Sequence, residues 1–292
     1  MSGAPRLVLV DGSASLYRAF FALPPLSTAA GLPTHAVLGF TTMLLKLLRE
    51  EAPQAVAVVF DGPGRTARHR AFPEYKAQRP ATPDSLFRQI PHVHRVLEAL
   101  RVAAIAVPGE EADDVLGALA LRAAGEGYAV VLVTGDKDLL QLVSQRIVLR
   151  EPLKAGVTGR AEVEARFGLP PERLPDFFAL TGDHIDNIPG VPGVGAKTAT
   201  ELVQRFGSVE ALLGRLAEVP RAKLRETLAA HAERIRLNRR LVALDTSLSL
   251  PCAVGDLARR EPDRAAMLAL CEELEFHRLA QQFRQPDLTD RT

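Results

Sequence analysis

Nine acidic residues in this 292-residue chain fall where an extended or helical segment ends or begins. Asp11 and Asp61 each close a short apolar run and precede a glycine. Glu111, Asp113 and Asp114 lie in Pro-Gly-Glu-Glu-Ala-Asp-Asp, at the start of a helical pattern. Asp136 and Asp138 flank Lys137, and Asp183 and Asp186 lie in Gly-Asp-His-Ile-Asp-Asn. Glu111 and Asp114 are three apart, so a helix puts them on one face. Asp136 and Asp138 are two apart, so an extended segment points both the same way. Asp183 and Asp186 share a face if their turn is helical. Taken singly, Asp-Gly after a strand is an ordinary turn, and acids at a helix start cap it and offset its dipole. Taken together, gathered carboxylates repel and raise one another's pKa values, and cations hold them ionised. All-oxygen ligation, with no His or Cys spacing, favours Mg²⁺ or Mn²⁺ over Zn²⁺ and points to work on phosphate oxygens.

Two further segments carry phosphate chemistry. Residues 62 to 83 hold Arg65, Arg68, Arg70, Lys76 and Arg79, with Phe72 and Tyr75 among them and only Glu74 opposed. A solvated, disordered loop has that composition, and so does a positive funnel with aromatic surfaces for single-stranded nucleic acid. If the segment is helical, Lys76 and Arg79 share a face. Gly190, Gly193 and Gly195 form a turn before Lys197 and Thr198. Such a turn starts a helix, and its glycines also let backbone N–H groups approach a phosphate. Tyr17, Phe20 and Phe21, after the first apolar run, offer either stacking surfaces for a terminal base near the site or core packing, and core packing is the better reading.

The elements that must position these groups alternate. Leu7–Val10, Ala55–Phe60, Val102–Val107 and Ala129–Val133 read as strands. Helical periodicity covers residues 36 to 51, 84 to 100 and 111 to 125. Alternation of this kind builds a mostly parallel sheet flanked by helices, with ligands outside the carboxyl ends of its strands. Asp11, Asp61 and Asp136 lie at such ends. From about residue 160 the pattern is helical, with stretches near 208–214, 220–245 and 263–283. That divides the chain into 1–160 and 161–292. The net charge is +1, so there is no global basic field, and nucleic-acid contact must come from local patches. The two cysteines, Cys252 and Cys271, have no ligand spacing and fit a reducing cytosol. The N-terminal apolar run is too short for a signal peptide or a membrane span, so a cytoplasmic protein is expected.

In order along the chain stand Val-Asp-Gly at 10–12, Phe-Asp-Gly at 60–62, Glu-Glu-Ala-Asp-Asp at 110–114, Thr-Gly-Asp-Lys-Asp-Leu at 134–139, and the run Thr-Gly-Asp-His-Ile-Asp-Asn-Ile-Pro-Gly-Val-Pro-Gly-Val-Gly at 181–195. This ordered set, over residues 6 to 284, closely resembles the 5′-nuclease domain of bacterial DNA polymerase I, within the flap-endonuclease superfamily. The resemblance implies a PIN-like (Rossmann-like) α/β domain and a helical C-terminal part with a helix–three-turn–helix motif near 181–206. It implies that all nine acids hold two Mg²⁺ (or Mn²⁺) ions. Segment 62–83 becomes an arch over the site, with Lys76 and Arg79 on the scissile phosphate and Arg68, Arg70 and Tyr75 among its DNA contacts. Gly190, Gly193, Gly195, Lys197 and Thr198 grip duplex DNA, with K⁺ on backbone carbonyls. The implied activity is 5′→3′ exonuclease and flap endonuclease, in replication and repair. The implied substrates are 5′ ends, 5′ flaps and nicked or branched duplex, with RNA primers on DNA also in scope, and the implied enzyme is a monomer. It could stand alone or be part of a polymerase. The rival readings are a PIN-like ribonuclease, usually much shorter and without the 181–206 segment, and a noncatalytic DNA-binding module, disfavoured by an intact acidic set.

Overall fold

A computed structural model of the chain describes residues 3–152 and 156–284. Strands β1 (Arg6–Asp11) and β2 (Ala55–Phe60) are separated by helices α1 (Gly12–Ala22) and α2 (His35–Glu51). The chain then passes through α3 (Ala67–Ala71), α4 (Asp84–Phe87) and α5 (Ile90–Ala99) to β3 (Ala103–Ala106). Helix α6 (Ala112–Gly125) leads to β4 (Ala129–Val133), a 3₁₀ turn over Asp138–Leu142 and β5 (Ile147–Arg150). Helices α7 (Arg160–Phe167) and α8 (Leu174–Thr181) precede the paired two-residue strands β6 (Gly182–Asp183) and β7 (Ile188–Pro189). Then come α9 (Ala196–Phe206), α10 (Val209–Gly214), α11 (Ala222–Ala230) and α12 (Ala232–Val242). Helices α13 (Arg264–Glu273) and α14 (His277–Arg284) follow.

The main sheet has the order β3-β2-β1-β4-β5, and every pair in it is parallel. The parallel sheet flanked by helices is therefore as the alternation predicted. Its connections leave in opposite directions from β1 and β4, which makes the gap between them the switch point where such sheets hold ligands. Alternate strand residues feed two cores. Leu7, Leu9, Ala57, Val59, Val130 and Leu132 face α6 and the helices α8–α12. Val8, Val10, Val56, Val58, Val131 and Val133 face α2, α5, α13 and α14. These side chains are almost wholly buried, and each valine or leucine among them contributes roughly 1.5–3 kcal/mol. The strands are apolar throughout because both faces are covered. Helix α1 lies hard against β2: a Cβ at Gly12 would come within 2.6 Å of Val58.

The structure differs from the sequence reading in several places. Strand β5 was not expected. The helix expected over 84–100 is broken into α4 and α5, and each of the two long C-terminal helical stretches is likewise two helices. Residues 184–187 form a turn between β6 and β7, so Asp183 and Asp186 share no helix: Ile185 N donates to Asp183 Oδ1 at 2.9 Å. Asp136 and Asp138 are not extended either, since Asp138 N donates to Asp136 Oδ1 at 2.9 Å and opens the 3₁₀ turn. Phe21 is 71% exposed and Tyr17 37%, so neither is core.

Candidate metal centre and nucleic-acid interface

The carboxylates converge at the C-terminal edge of the sheet. Asp11 ends β1 and caps α1, with Oδ1 accepting from Ala14 N at 2.9 Å. Its Oδ2 accepts from Thr134 Oγ1 at 2.9 Å, across the switch point. That hydroxyl in turn accepts from Asp136 N at 3.0 Å. Asp61 Oδ1 accepts from Ala112 N at 3.0 Å, holding the start of α6 beneath β2. Helix α6 then presents Glu111, Asp113 and Asp114 in its cap and first turn.

The electrostatics show how close these groups are. Burial pushes Asp11 up to about 6 from 3.8, and the charges of Asp61 and Asp136 add to the rise. Burial also raises Asp113 well above the usual carboxylate range, with Asp136, Asp11 and Asp138 adding like-charge repulsion. Asp138 is raised in the same way by burial and by Asp136, Asp183 and Asp186. Burial raises Asp136 too, with Asp186 and Asp183 adding repulsion.

One oxygen from each of Asp138, Asp183 and Asp186 lies within 4.8 Å of the others. Asp138 Oδ1 is buried and has no hydrogen-bond partner. A buried, unpaired carboxylate oxygen within a set of oxygen donors fits a hard divalent cation and is costly without one. The residues present therefore fit a divalent metal centre.

Segment 62–83 is seated on this acidic edge through short turns rather than a long helix. Lys76 Nζ lies 3.2 Å from Glu111 Oε2 and 3.7 Å from Asp186 Oδ2. Arg79 Nη2 lies 2.7 Å from Asp186 Oδ1. Burial works against the Lys76 ammonium, but Glu111 and Asp186 outweigh it and hold the group charged. Lys76 has left-handed backbone (φ +55°), and its N–H donates to Asp186 O at 3.1 Å. Phe72 and Tyr75 are buried rather than offered to solvent. Arg234 lies over the Phe72 ring, and the Tyr75 hydroxyl donates to Asp186 Oδ2 at 2.8 Å and Glu111 Oε2 at 3.1 Å. Arg68 is turned inward onto Asp114 and Glu111, whereas Arg70 is exposed.

The glycine turn lies beside the second half of the acids. Gly182 and Gly190 approach so closely that a Cβ at Gly190 would stand 2.2 Å from Thr181 O. Gly193 has φ +75°, and Gly195 caps α9 with no side-chain bond, so the first N–H groups of that helix point outward. Gly193, Gly195 and Lys197 are exposed, and Thr198 is half-buried.

Several contributors were not singled out from sequence. Lys137 Nζ lies 2.9 Å from Asp183 Oδ1 and over the Phe178 ring, a role its position between two aspartates hints at. Arg18 lies against Gly135, where a Cβ would stand 2.3 Å from its guanidinium, and it follows Asp11 by two helical turns. Asn238, fully buried on α12, donates to Ala179 O at 3.0 Å and Pro189 O at 2.8 Å, bracing the turn that carries Asp183 and Asp186. Nothing in the sequence marks it, since the contact is wholly tertiary.

Comparison with known proteins agrees with this arrangement. The N-terminal resolvase-like domain of the 5′-3′ exonuclease family matches residues 6–168, and that family's C-terminal SAM fold matches residues 169–265. A 5′-3′ exonuclease of Aquifex aeolicus (strain VF5) is 41% identical over 277 residues, covering 94% of this chain and 93% of that protein. DNA polymerase I of Bacillus caldotenax is 42% identical over 286 residues, 96% of this chain but 32% of the polymerase. The chain thus spans about a third of the length of the curated polymerase relatives it matches. Among solved structures, the T5 D15 flap endonuclease in complex with DNA and metal ions superposes with a TM-score of 0.68 at 20% identity, covering 95% of this chain and 97% of that one, a likeness of fold. With both halves of the chain matched in order, the protein belongs to the 5′-3′ exonuclease family.

Proposed function

We propose that the protein is a structure-specific 5′-nuclease that hydrolyses DNA phosphodiesters with two divalent cations, Mg²⁺ or Mn²⁺. The observation that carries this reading is the Asp138–Asp183–Asp186 cluster, with the buried, unpartnered Asp138 Oδ1 inside it. In this reading Asp11, Asp61, Glu111, Asp113 and Asp136 hold one ion at the strand ends, and Asp138, Asp183 and Asp186 hold the other. Asp114 is left out because the charged fork of the buried Arg68 neutralises it at both oxygens, and Asp245 N also donates to Oδ1. When bound, such ions acidify a water and stabilise the departing 3′-oxygen.

The chain's own residues do the rest. Lys76 and Arg79 neutralise Glu111 and Asp186 in this structure and turn to phosphate oxygens as substrate enters. The charge they carry then passes from one set of anions to another at small cost. Gly190, Gly193, Gly195, Lys197 and Thr198 hold the backbone of the adjacent duplex at the open end of α9, with K⁺ on neighbouring carbonyls. Arg70 adds a contact from the exposed side of the arch. Substrates are 5′ ends, 5′ flaps, and nicked or branched duplex, RNA primers on DNA included, and the enzyme acts as a cytoplasmic monomer in replication and repair. The solved T5 flap endonuclease complex with DNA and metal ions supports this assignment by its fold. The test is Mg²⁺-dependent cleavage of flap, nicked and single-stranded substrates. Cleavage near the junction of the flap substrate is expected, and no cleavage of any substrate with Mg²⁺ or Mn²⁺ overturns the reading.

A further inference from the structure

Arg68 is placed unlike the other cations of the arch. Its side chain is only 10% exposed, and the guanidinium is engaged on every side. Nε donates to Leu241 O at 2.7 Å. Nη1 donates to Glu111 Oε2 at 3.1 Å and Asp114 Oδ2 at 2.5 Å. Nη2 donates to Asp114 Oδ1 at 2.8 Å and Ala243 O at 2.7 Å. The planar fork of arginine suits this bidentate grip, and lysine cannot reproduce it. Burial disfavours the charge, but Asp114 and Glu111 more than restore it. No donor remains for a phosphate.

Its partner is equally committed. Asp114 is 2% exposed, and its Oδ1 also accepts from Asp245 N at 2.8 Å. Glu111 is divided: Oε2 collects Arg68, the Tyr75 hydroxyl and Lys76 Nζ, while Oε1 has no protein partner among the described residues. Arg68 therefore joins the base of the arch, the start of α6 and the chain leaving α12 at one carboxylate.

We propose that Arg68 is a positioning residue for the metal centre. Braced by Asp114 and by the carbonyls of Leu241 and Ala243, it pins one oxygen of Glu111 and leaves the other for an ion. Asp114 acts through Arg68 rather than as a ligand. The inference rests on the two-ion reading above, and its test separates the two.

Mn²⁺ binding to the DNA-free protein is measured by electron paramagnetic resonance or calorimetry, giving both ion number and affinity. Binding of no Mn²⁺ by the parent protein overturns the two-ion reading itself. Given parental binding, Asp114→Asn is expected to keep the ion number and weaken affinity about tenfold, the scale for groups that orient a ligand. Arg68→Lys is expected to do the same, and the double variant is expected to bind no more weakly than either single one. Loss of an ion in Asp114→Asn overturns the proposal, because a ligand lost is an ion lost. So does parental affinity in Arg68→Lys, because a strut with a purely structural role lowers the melting temperature without changing binding by the folded molecules. The conservative lysine is chosen because Arg68→Ala strands Asp114 in the core. If Arg68→Lys fails to fold, Asp114→Asn, which loosens the brace on Arg68 and leaves Glu111 itself intact, carries the same comparison, and parental affinity in it overturns the proposal.

Discussion

At the scale of single residues, the acidic edge is a place where the fold works against itself until cations arrive. Asp138 is the clearest case, half-buried, with its Oδ1 buried and unpartnered and Asp136, Asp183 and Asp186 beside it. Replacing it with asparagine removes like charge and one ligand together. Asp138→Asn is therefore expected to melt higher than the parent in chelator, to lose most of the stabilisation by Mg²⁺, and to cleave on the order of 100-fold more slowly. Thermal melts with and without Mg²⁺, alongside a cleavage assay, check all three. Asp11 gives the pH dependence. Its carboxyl is pushed up to about 6 in the fold from 3.8, so the folded state keeps a proton that the unfolded chain releases. Metal-free stability from this group is thus full below about pH 4 and is lost as pH rises to about 6, by roughly 3 kcal/mol at most. Mg²⁺ competes with that proton, so the gap between melts with and without metal is expected to widen from pH 5 to pH 7.5. A gap that narrows contradicts the assignment. Residue type alone made the acids and the arch cations legible in the sequence. It could not show that Asp114 faces Arg68, or that Tyr75 is buried as a donor, because both depend on which way a side chain turns.

At the scale of elements, legibility followed hydrophobic pattern. β2 and β4 were read with their observed bounds, since a fully buried parallel strand is an unbroken apolar run that glycine or a charge terminates. β5 has only four residues, with burial alternating along it and arginine at its end, and it has meaning only once β4 is beside it. The β6–β7 pair has no pattern at all. It exists because Gly182 adopts φ +74° and packs on Gly190. Gly190→Ala is expected to cost about 2–4 kcal/mol in chemical denaturation, since its Cβ would overlap Thr181 O, and to displace Asp183 and Asp186 together. A neutral alanine here would show that this approach is not needed. The open start of α9 makes a separate prediction. Lys197→Ala is expected to weaken duplex binding across all sequences and lower the slope of log K against log salt by about one. A sequence-selective loss would point to base contacts instead.

At the scale of the molecule, the helices that follow the acidic half do not form a detached unit. The segment near Ala258 bridges to Ala55, Asp263 N donates to Ala99 O at 2.7 Å, and α13 packs on α5. Met267, Leu270, Cys271 and Leu274 join the core that contains Val93, Val96 and Leu97. Arg95 is paired to Glu273 across the same seam. The second family match stops at residue 265, inside α13, so that limit is not a place where the fold can be cut. A chain ended after residue 262 is expected to bind a hydrophobic dye and to lose its sharp melting transition, while one carried through 284 does neither. That wrapping also sets an order of events during synthesis. The strands and the residues of the acidic edge leave the ribosome first, yet one side of their sheet waits for α13 and α14 to emerge. The nascent chain therefore holds its whole acidic edge well before it can close its core, and chaperones have that interval in which to find Val93, Val96 and Leu97.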